Sequence, residues 1–256
     1  MMKDTAEKMK LVTHFIAGYP SLEASFDTAK GLIDGGAYAL EMQMPFSDPS
    51  ADGPVIESAC RKALEAGFRV GEGFKLIERI KAYADVPLYV MSYSALVFNM
   101  VVQGFADRAL AAGAAGLIIP DLTPGTDEGL YEAGRRAGID VVPVVVPGVS
   151  DERLSEIMAE KPDWVYLALR SGITGSYTEL DAENLGFLDR LKKYDAKIMA
   201  GFGICTPEQI ETLKPHCDAA IAGSFIVNRL SEASTEKGGS GIMHAAKDAV
   251  EYLLGE

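Results

Sequence analysis

Short apolar runs recur along the chain at even spacing, and the stretches between them carry the three-to-four-residue apolar period of amphipathic helices. Eight runs stand out: Leu11–Ala17, Tyr38–Met44, Pro87–Tyr93, Ala115–Pro120, Asp140–Val146, Asp163–Leu169, Ala196–Ala200 and Asp218–Ala222. Several are almost continuously apolar (GLIIP, VVPVVV, AAIAG), the pattern of strands covered on both faces. Between them, FADRALAAG after Gly104, DERLSEIMAE after Ser150 and PEQIETL after Thr206 read as helices. Asp151 and Thr206 stand where N-caps belong. Eight strand–helix units without an interior linker predict an α/β fold, a single (β/α)8 barrel domain over residues 1–256. An open doubly wound sheet is the rival, and the even spacing favours closure. EKGGSG at 236–241 is the one flexible-looking insert.

Chemistry in such barrels gathers where the strands end. Side chains alternate along a strand, so in the second run Leu40, Met42 and Met44 share one face and Ala39, Glu41 and Gln43 the other. If the apolar trio packs under the helices, Glu41 points into the barrel near its upper rim. A buried carboxylate is costly, which makes Glu41 a candidate proton carrier; a hydrogen-bonded structural layer is the competing reading. The next loop, PFSDPSADGP, adds Asp48 and Asp52. Asp52 precedes Gly53-Pro54, so turn capping explains it as well as chemistry does. Asp48, in Ser-Asp-Pro, reads as a residue that orders the loop.

Three glycine-bearing turns follow the last three strands: Arg170–Gly175, Gly201–Cys205 and Ala222–Ile226. Glycines let backbone amides approach an anion, and a helix N-terminus carries partial positive charge. The turns after strands seven and eight are where barrels often hold phosphate, and Ser224 adds a hydroxyl there. Charge sharpens this expectation. The formal net charge is −13, which opposes an anionic ligand at long range, and no lysine lies in the last two turns. Neutral donors must therefore do the binding. The same acidity argues against a nucleic-acid partner.

No apolar run approaches the ~20 residues of a membrane span. The start, MMKDTAEKMK, has no signal-peptide core, and Cys60, Cys205 and Cys217 show no metal spacing. They read as reduced thiols, and a cytoplasmic location is expected. His14, His216 and His244 are scattered and read as structural, so no metal is expected. Trp164 reads as core. No lysine ends a strand in a position suited to a Schiff base.

The ordered segments Ala17–Glu23 (AGYPSLE), Pro45–Pro54 (PFSDPSADGP), Leu96–Asn99 (LVFN), Ile119–Leu122 (IPDL), Gly172–Gly175 (GITG), Gly201–Ile204 (GFGI) and Gly223–Val227 (GSFIV) span nearly the whole chain. In these the chain resembles the α subunit family of tryptophan synthase. The loop PFSDPSADGP after a strand bearing Glu is the specific feature; the glycine turns alone are not. The resemblance implies retro-aldol cleavage of indole-3-glycerol phosphate to indole and glyceraldehyde 3-phosphate, with no cofactor in this chain. It also implies a β subunit partner. Glu41 takes the place of the principal acid/base and Asp52 that of the second carboxylate. Tyr166 matches an active-site tyrosine. Gly175, Phe202, Gly203, Gly223 and Ser224 match the phosphate site. Tyr93 and Asp121 match residues around the indole pocket and partner-facing loop.

Several positions depart from the family pattern. Gln43 replaces a usual Gly, Ile16 a common Thr, His14 an aromatic residue and Leu169 a usual Ser. Ala95 stands for a usual Asn and Thr123 for a usual Pro. The last two lie where the family meets its β partner, so weak or non-standard association is expected. Two other functions remain open on sequence: another phosphosugar-processing barrel, or a non-catalytic barrel that regulates a β subunit. Retention of both carboxylates and the glycine turns speaks against the latter.

Overall fold

The computed structural model describes residues 9–169, 180–201, 203–236 and 240–256. Its strands are β1 (Lys10–Ile16), β2 (Ala39–Gln43), β3 (Leu88–Met91), β4 (Gly116–Ile118), β5 (Asp140–Val141), β6 (Val144–Val145), β7 (Trp164–Ala168), β8 (Lys197–Gly201) and β9 (Ala219–Ala222). Every pairing is parallel, in the order β5-β4-β3-β2-β1-β9-β8-β7-β6. The two ends of that order are successive pieces of one segment, so the ring closes as a (β/α)8 barrel.

The fifth expected strand, Asp140–Val146, is thus corrected to two short pieces. Pro143 lacks the N–H a continuous ladder needs. The break is bridged on both sides. Val142 N donates to Leu117 O at 2.8 Å, and Pro143 O accepts from Tyr166 N at 2.9 Å. Proline keeps its carbonyl, and closure uses it.

Strand alternation sorts the core into two layers. Val12, Ala39, Tyr89, Met91, Trp164 and Tyr166 belong to the barrel interior. Leu40, Met42 and Met44 belong to the layer under the helices, as the alternation predicts. Each is fully buried, worth about 1.5–3 kcal/mol per side chain in transfer from water.

Helix starts follow capping chemistry. Thr206 caps the helix Pro207–Leu213 with a reciprocal capping box to Gln209. At the helix Asp151–Met158 the cap is Ser150, whose hydroxyl accepts from Arg153 N at 3.2 Å; Asp151 is the first helical residue, not the cap. Ser150 is placed to reach the third helical amide, and Asp151 contributes only its charge to the first turn.

Candidate active site

A cavity of about 220 Å³ opens at the carboxyl end of the barrel. Glu41, Asp52, Tyr166, Gly203, Gly223 and Ser224 all line it. Its apolar wall includes Ile56, Met91, Ile118, Val144 and Ile221. Acidic groups, apolar surface and glycine turns thus share one space.

Glu41 arrives from β2 with its face as expected and is 2% exposed. Its Oε1 lies 3.2 Å from Nδ1 of His14, the residue paired with it across the β1–β2 ladder. The Oε2 atom has no hydrogen-bond partner. The reading of His14 as an isolated structural histidine is therefore corrected: it faces the cavity and touches Glu41. The sequence did hold a signal. His14 shares inward parity with Val12 on β1, but only strand register joins it to Glu41.

Asp52 is not a cap. Gly53 is the N-cap residue of the helix Pro54–Glu65, and no side-chain cap bond is made there. Asp52 is instead held from behind. Its Oδ2 accepts from Gln43 Nε2 at 2.7 Å and from Tyr93 Oη at 2.9 Å. Burial pushes the Asp52 carboxyl above its ordinary value. The His14 charge and the bonds from Gln43 and Tyr93 oppose that shift, and Glu41 adds to it. Gln43, where the family usually has Gly, thus serves as an anchor for the second carboxylate.

Tyr93 does not line the cavity. It is buried, its ring stacks on Phe46 with centroids 5.4 Å apart, and its hydroxyl also accepts from Ala51 N at 3.2 Å. Burial, then the Asp52 charge and hydrogen bond, push its phenol up, so it remains a donor. Asp121 is exposed and outside the cavity as well. It accepts from Ser94 N and, at 2.6 Å, from Ser94 Oγ, tying the end of β4 to the start of the helix Ser94–Asn99. Both residues brace the loops around the site.

Tyr166 is inward on β7 and buried. Burial, followed by the charges of Glu41 and Asp52, raises its phenol well above the ordinary value. Its hydroxyl sits over Gly201, where an added Cβ would lie 2.8 Å from the oxygen, so that strand position admits only glycine without rearrangement. Gly203 has φ +83°, the left-handed region. Gln209 secures the turn: it donates to Gly203 O at 3.0 Å and accepts from Cys205 N at 2.8 Å and Thr206 N at 3.1 Å. Ser224 opens the 13-residue helix Ser224–Glu236, whose N-terminus faces the cavity through Gly223 and Ser224. Gly175 and Phe202, also expected at the phosphate end, lie outside the described residues, as does the turn Arg170–Gly175.

Among the described residues no group of three or more His, Cys, Asp or Glu can hold a metal ion. No described helix is long and apolar enough to cross a membrane.

A parallel (β/α)8 barrel with two buried carboxylates facing glycine turns across one cavity has the architecture of a barrel enzyme with its site at the carboxyl ends of the strands. The family model for the tryptophan synthase alpha chain matches residues 1–250, and the chain belongs to that family. The alpha chain of Helicobacter hepaticus is 37% identical over 257 residues, covering 97% of this chain and 96% of its own length. That of Carboxydothermus hydrogenoformans is 38% identical over 218 residues, covering 85% and 82%. Among solved structures, the tryptophan synthase complex of Pyrococcus furiosus superposes with a TM-score of 0.87 at 29% identity, covering 97% of this chain and 99% of that one. Tryptophan synthase of Mycobacterium tuberculosis gives 0.86 at 28%, covering 97% and 92%. The activity is retro-aldol cleavage of indole-3-glycerol phosphate.

Proposed function

We propose that Glu41 and Asp52 divide the proton transfer and charge stabilisation of this cleavage, with Gly203, Gly223 and Ser224 holding the phosphate. The observation that carries the reading is their convergence on one cavity with an apolar wall. The bond to break joins indole C3 to the carbinol carbon of the glycerol chain. Protonation of C3 by the Glu41 carboxyl makes the ring an electron acceptor. The resulting carboxylate takes the proton of the neighbouring hydroxyl. The C–C bonding pair flows into the ring, the aldehyde forms, and Glu41 regains its proton. Positive charge on the protonated ring is offset by Asp52 near N1–H. Phosphate binding supplies orientation, and backbone N–H groups suit it because the described lining holds neither Lys nor Arg. Gly223→Val tests this arm. The branched side chain would cover the turn, and affinity for glycerol 3-phosphate by calorimetry should fall at least roughly tenfold, the worth of a lost hydrogen bond to a charged group. Unchanged affinity would remove the turn from the site.

The working partner in this reading is a tryptophan synthase β subunit, met in the cytoplasm, docking over the barrel mouth. Ala95 is exposed on the helix Ser94–Asn99, beside Phe98 (44% exposed) and Val101 (71% exposed). This apolar surface suits a protein partner, but Ala95 offers none of the side-chain hydrogen bonds of an Asn. Thr123 is gripped from within, where its Oγ1 accepts from Arg153 Nη2 at 3.0 Å and Pro124 O accepts from the same atom at 2.7 Å. Changes at an interface centre cost on the order of kcal/mol. Association with a β subunit from a typical family member is therefore expected to be weak. Calorimetric titration with indole-release rates checks it; tight binding with full mutual activation would contradict it.

A further inference from the structure

We propose that His14 is a positioning and ligand-binding residue of the lyase site: Nδ1 holds Glu41, and Nε2 binds the glycerol phosphate chain of the substrate beside Gly223. The inference rests on the roles proposed above for Glu41 and for the glycine turns, and extends them to a residue those roles do not include.

The geometry supplies both halves. In the ionised state that Glu41 reaches between its two proton transfers, its oxygens only accept hydrogen bonds, so the 3.2 Å contact to Oε1 is then donated by Nδ1. The other ring nitrogen then has one of two states: a bare acceptor in the neutral ring, or a second donor in the imidazolium. In the fold Nε2 has no hydrogen-bond partner, although the side chain is only 5% exposed. An unpaired buried polar atom is costly, and a ligand group relieves the cost. The ring edge that leads to Nε2 runs along the phosphate-side turn. A Cβ built on Gly223 would lie 3.4, 3.6 and 3.7 Å from Cβ, Cγ and Cδ2 of His14. The imidazole thus spans the cavity from the acid/base carboxylate to the glycine turn.

Charge gives this placement its consequence. Of the described residues lining the cavity, His14 alone can be a cation. The acidic groups facing it are Glu41 from β2 and Asp52 from the loop beyond. Tyr166 from β7 lines the same cavity, and the β9 side presents only Ile221, Gly223 and Ser224. Burial pulls the His14 proton off, but the Glu41 charge and hydrogen bond, with smaller help from Asp52 and Gln43, outweigh it and leave the group above its ordinary value. In its protonated form the ring offers Nε2–H to a substrate oxygen. In a chain of net charge −13, it places a positive charge beside the expected phosphate turn. Because its proton is lost as pH rises through the raised value, this contribution fades on the alkaline side.

Two variants separate the two nitrogens. His14→Phe removes both and fills the same space with the residue class the family commonly carries there. His14→Asn keeps an amide N–H where Nδ1 was and has nothing at Nε2. The measurements are steady-state cleavage of indole-3-glycerol phosphate and calorimetric titration of glycerol 3-phosphate, the latter from about pH 7 upward, where the ligand charge is nearly constant. His14→Phe should lower kcat and raise KM, each roughly tenfold, the scale of one hydrogen bond to a charged group. His14→Asn should recover most of kcat but not ligand affinity. Binding to the unmodified protein should weaken with rising pH, and in both variants it should lose that dependence. His14→Phe with unchanged kcat, KM and pH dependence would overturn the proposal. So would equal kcat losses in both variants with normal, pH-dependent glycerol 3-phosphate binding, since that marks packing alone. Glu41→Gln run in parallel keeps the two readings distinct: an active Glu41→Gln removes the acid/base role, while the binding titration still reports on Nε2.

Discussion

Glu41→Gln is expected to remove most lyase turnover, on the order of 10² to 10⁴, the usual loss for a missing acid/base group. The substitution is nearly isosteric. The amide oxygen can still accept from His14 Nδ1, where Oε1 now lies 3.2 Å away, so the anchoring contact survives. The amide nitrogen takes the place of Oε2, which has no partner in the fold. What disappears is a group that can give a proton to C3 and then accept one from the carbinol. Folding should be intact by thermal melting, and the loss should fall on kcat. A variant with near-native kcat would end the assignment.

Asp52→Asn should cost roughly 10² in kcat, the scale of losing one preorganised electrostatic partner of a charged transition state. Position and charge separate cleanly here. Asparagine can turn its oxygen to Gln43 and Tyr93, the two donors now 2.7 and 2.9 Å from Oδ2. Its nitrogen then faces the ring as a donor, where an anion is wanted. The pH profile carries a second signature. Burial raises the Asp52 carboxyl, so the folded protein takes up this proton at higher pH than an exposed aspartate would. As pH falls through that raised value the charge is lost, and an acid limb of kcat should lie above the ordinary aspartate range. The Asn variant should lose that limb. Linkage runs the other way for stability. The raised group favours the fold when protonated, and that contribution declines as pH rises from the unfolded value through the folded one. Asp52→Asn should therefore be no less stable than the unmodified chain at neutral pH. Full kcat in the variant would contradict the charge role.

The sequence made some of this site legible and hid the rest for a physical reason. Alternation along a single strand is local, so the inward face of Glu41 and the outward trio Leu40, Met42 and Met44 follow from period two alone. The capping box at Thr206 is equally local. Contacts set by register or by loop return are not local. The bond from Gln43 to Asp52 crosses nine residues, and that from Tyr93 crosses 41. No pattern in either segment announces its partner. The pair His14–Glu41 depends on which residues of β1 and β2 face each other, which the sequence leaves undefined. Gln43 stood out only as a departure from the usual Gly, and its bond to Asp52 Oδ2 shows that it secures a carboxylate. The division at Pro143 was readable in principle, since proline in an apolar run marks a missing donor.

This barrel alone, through its two carboxylates, is expected to split a carbon–carbon bond. The most direct test is to supply indole-3-glycerol phosphate to the isolated chain and follow both products. Indole and glyceraldehyde 3-phosphate are expected in equal amounts, abolished together by Glu41→Gln. Tight binding of glycerol 3-phosphate with no indole released, or release that persists undiminished in Glu41→Gln, would contradict it.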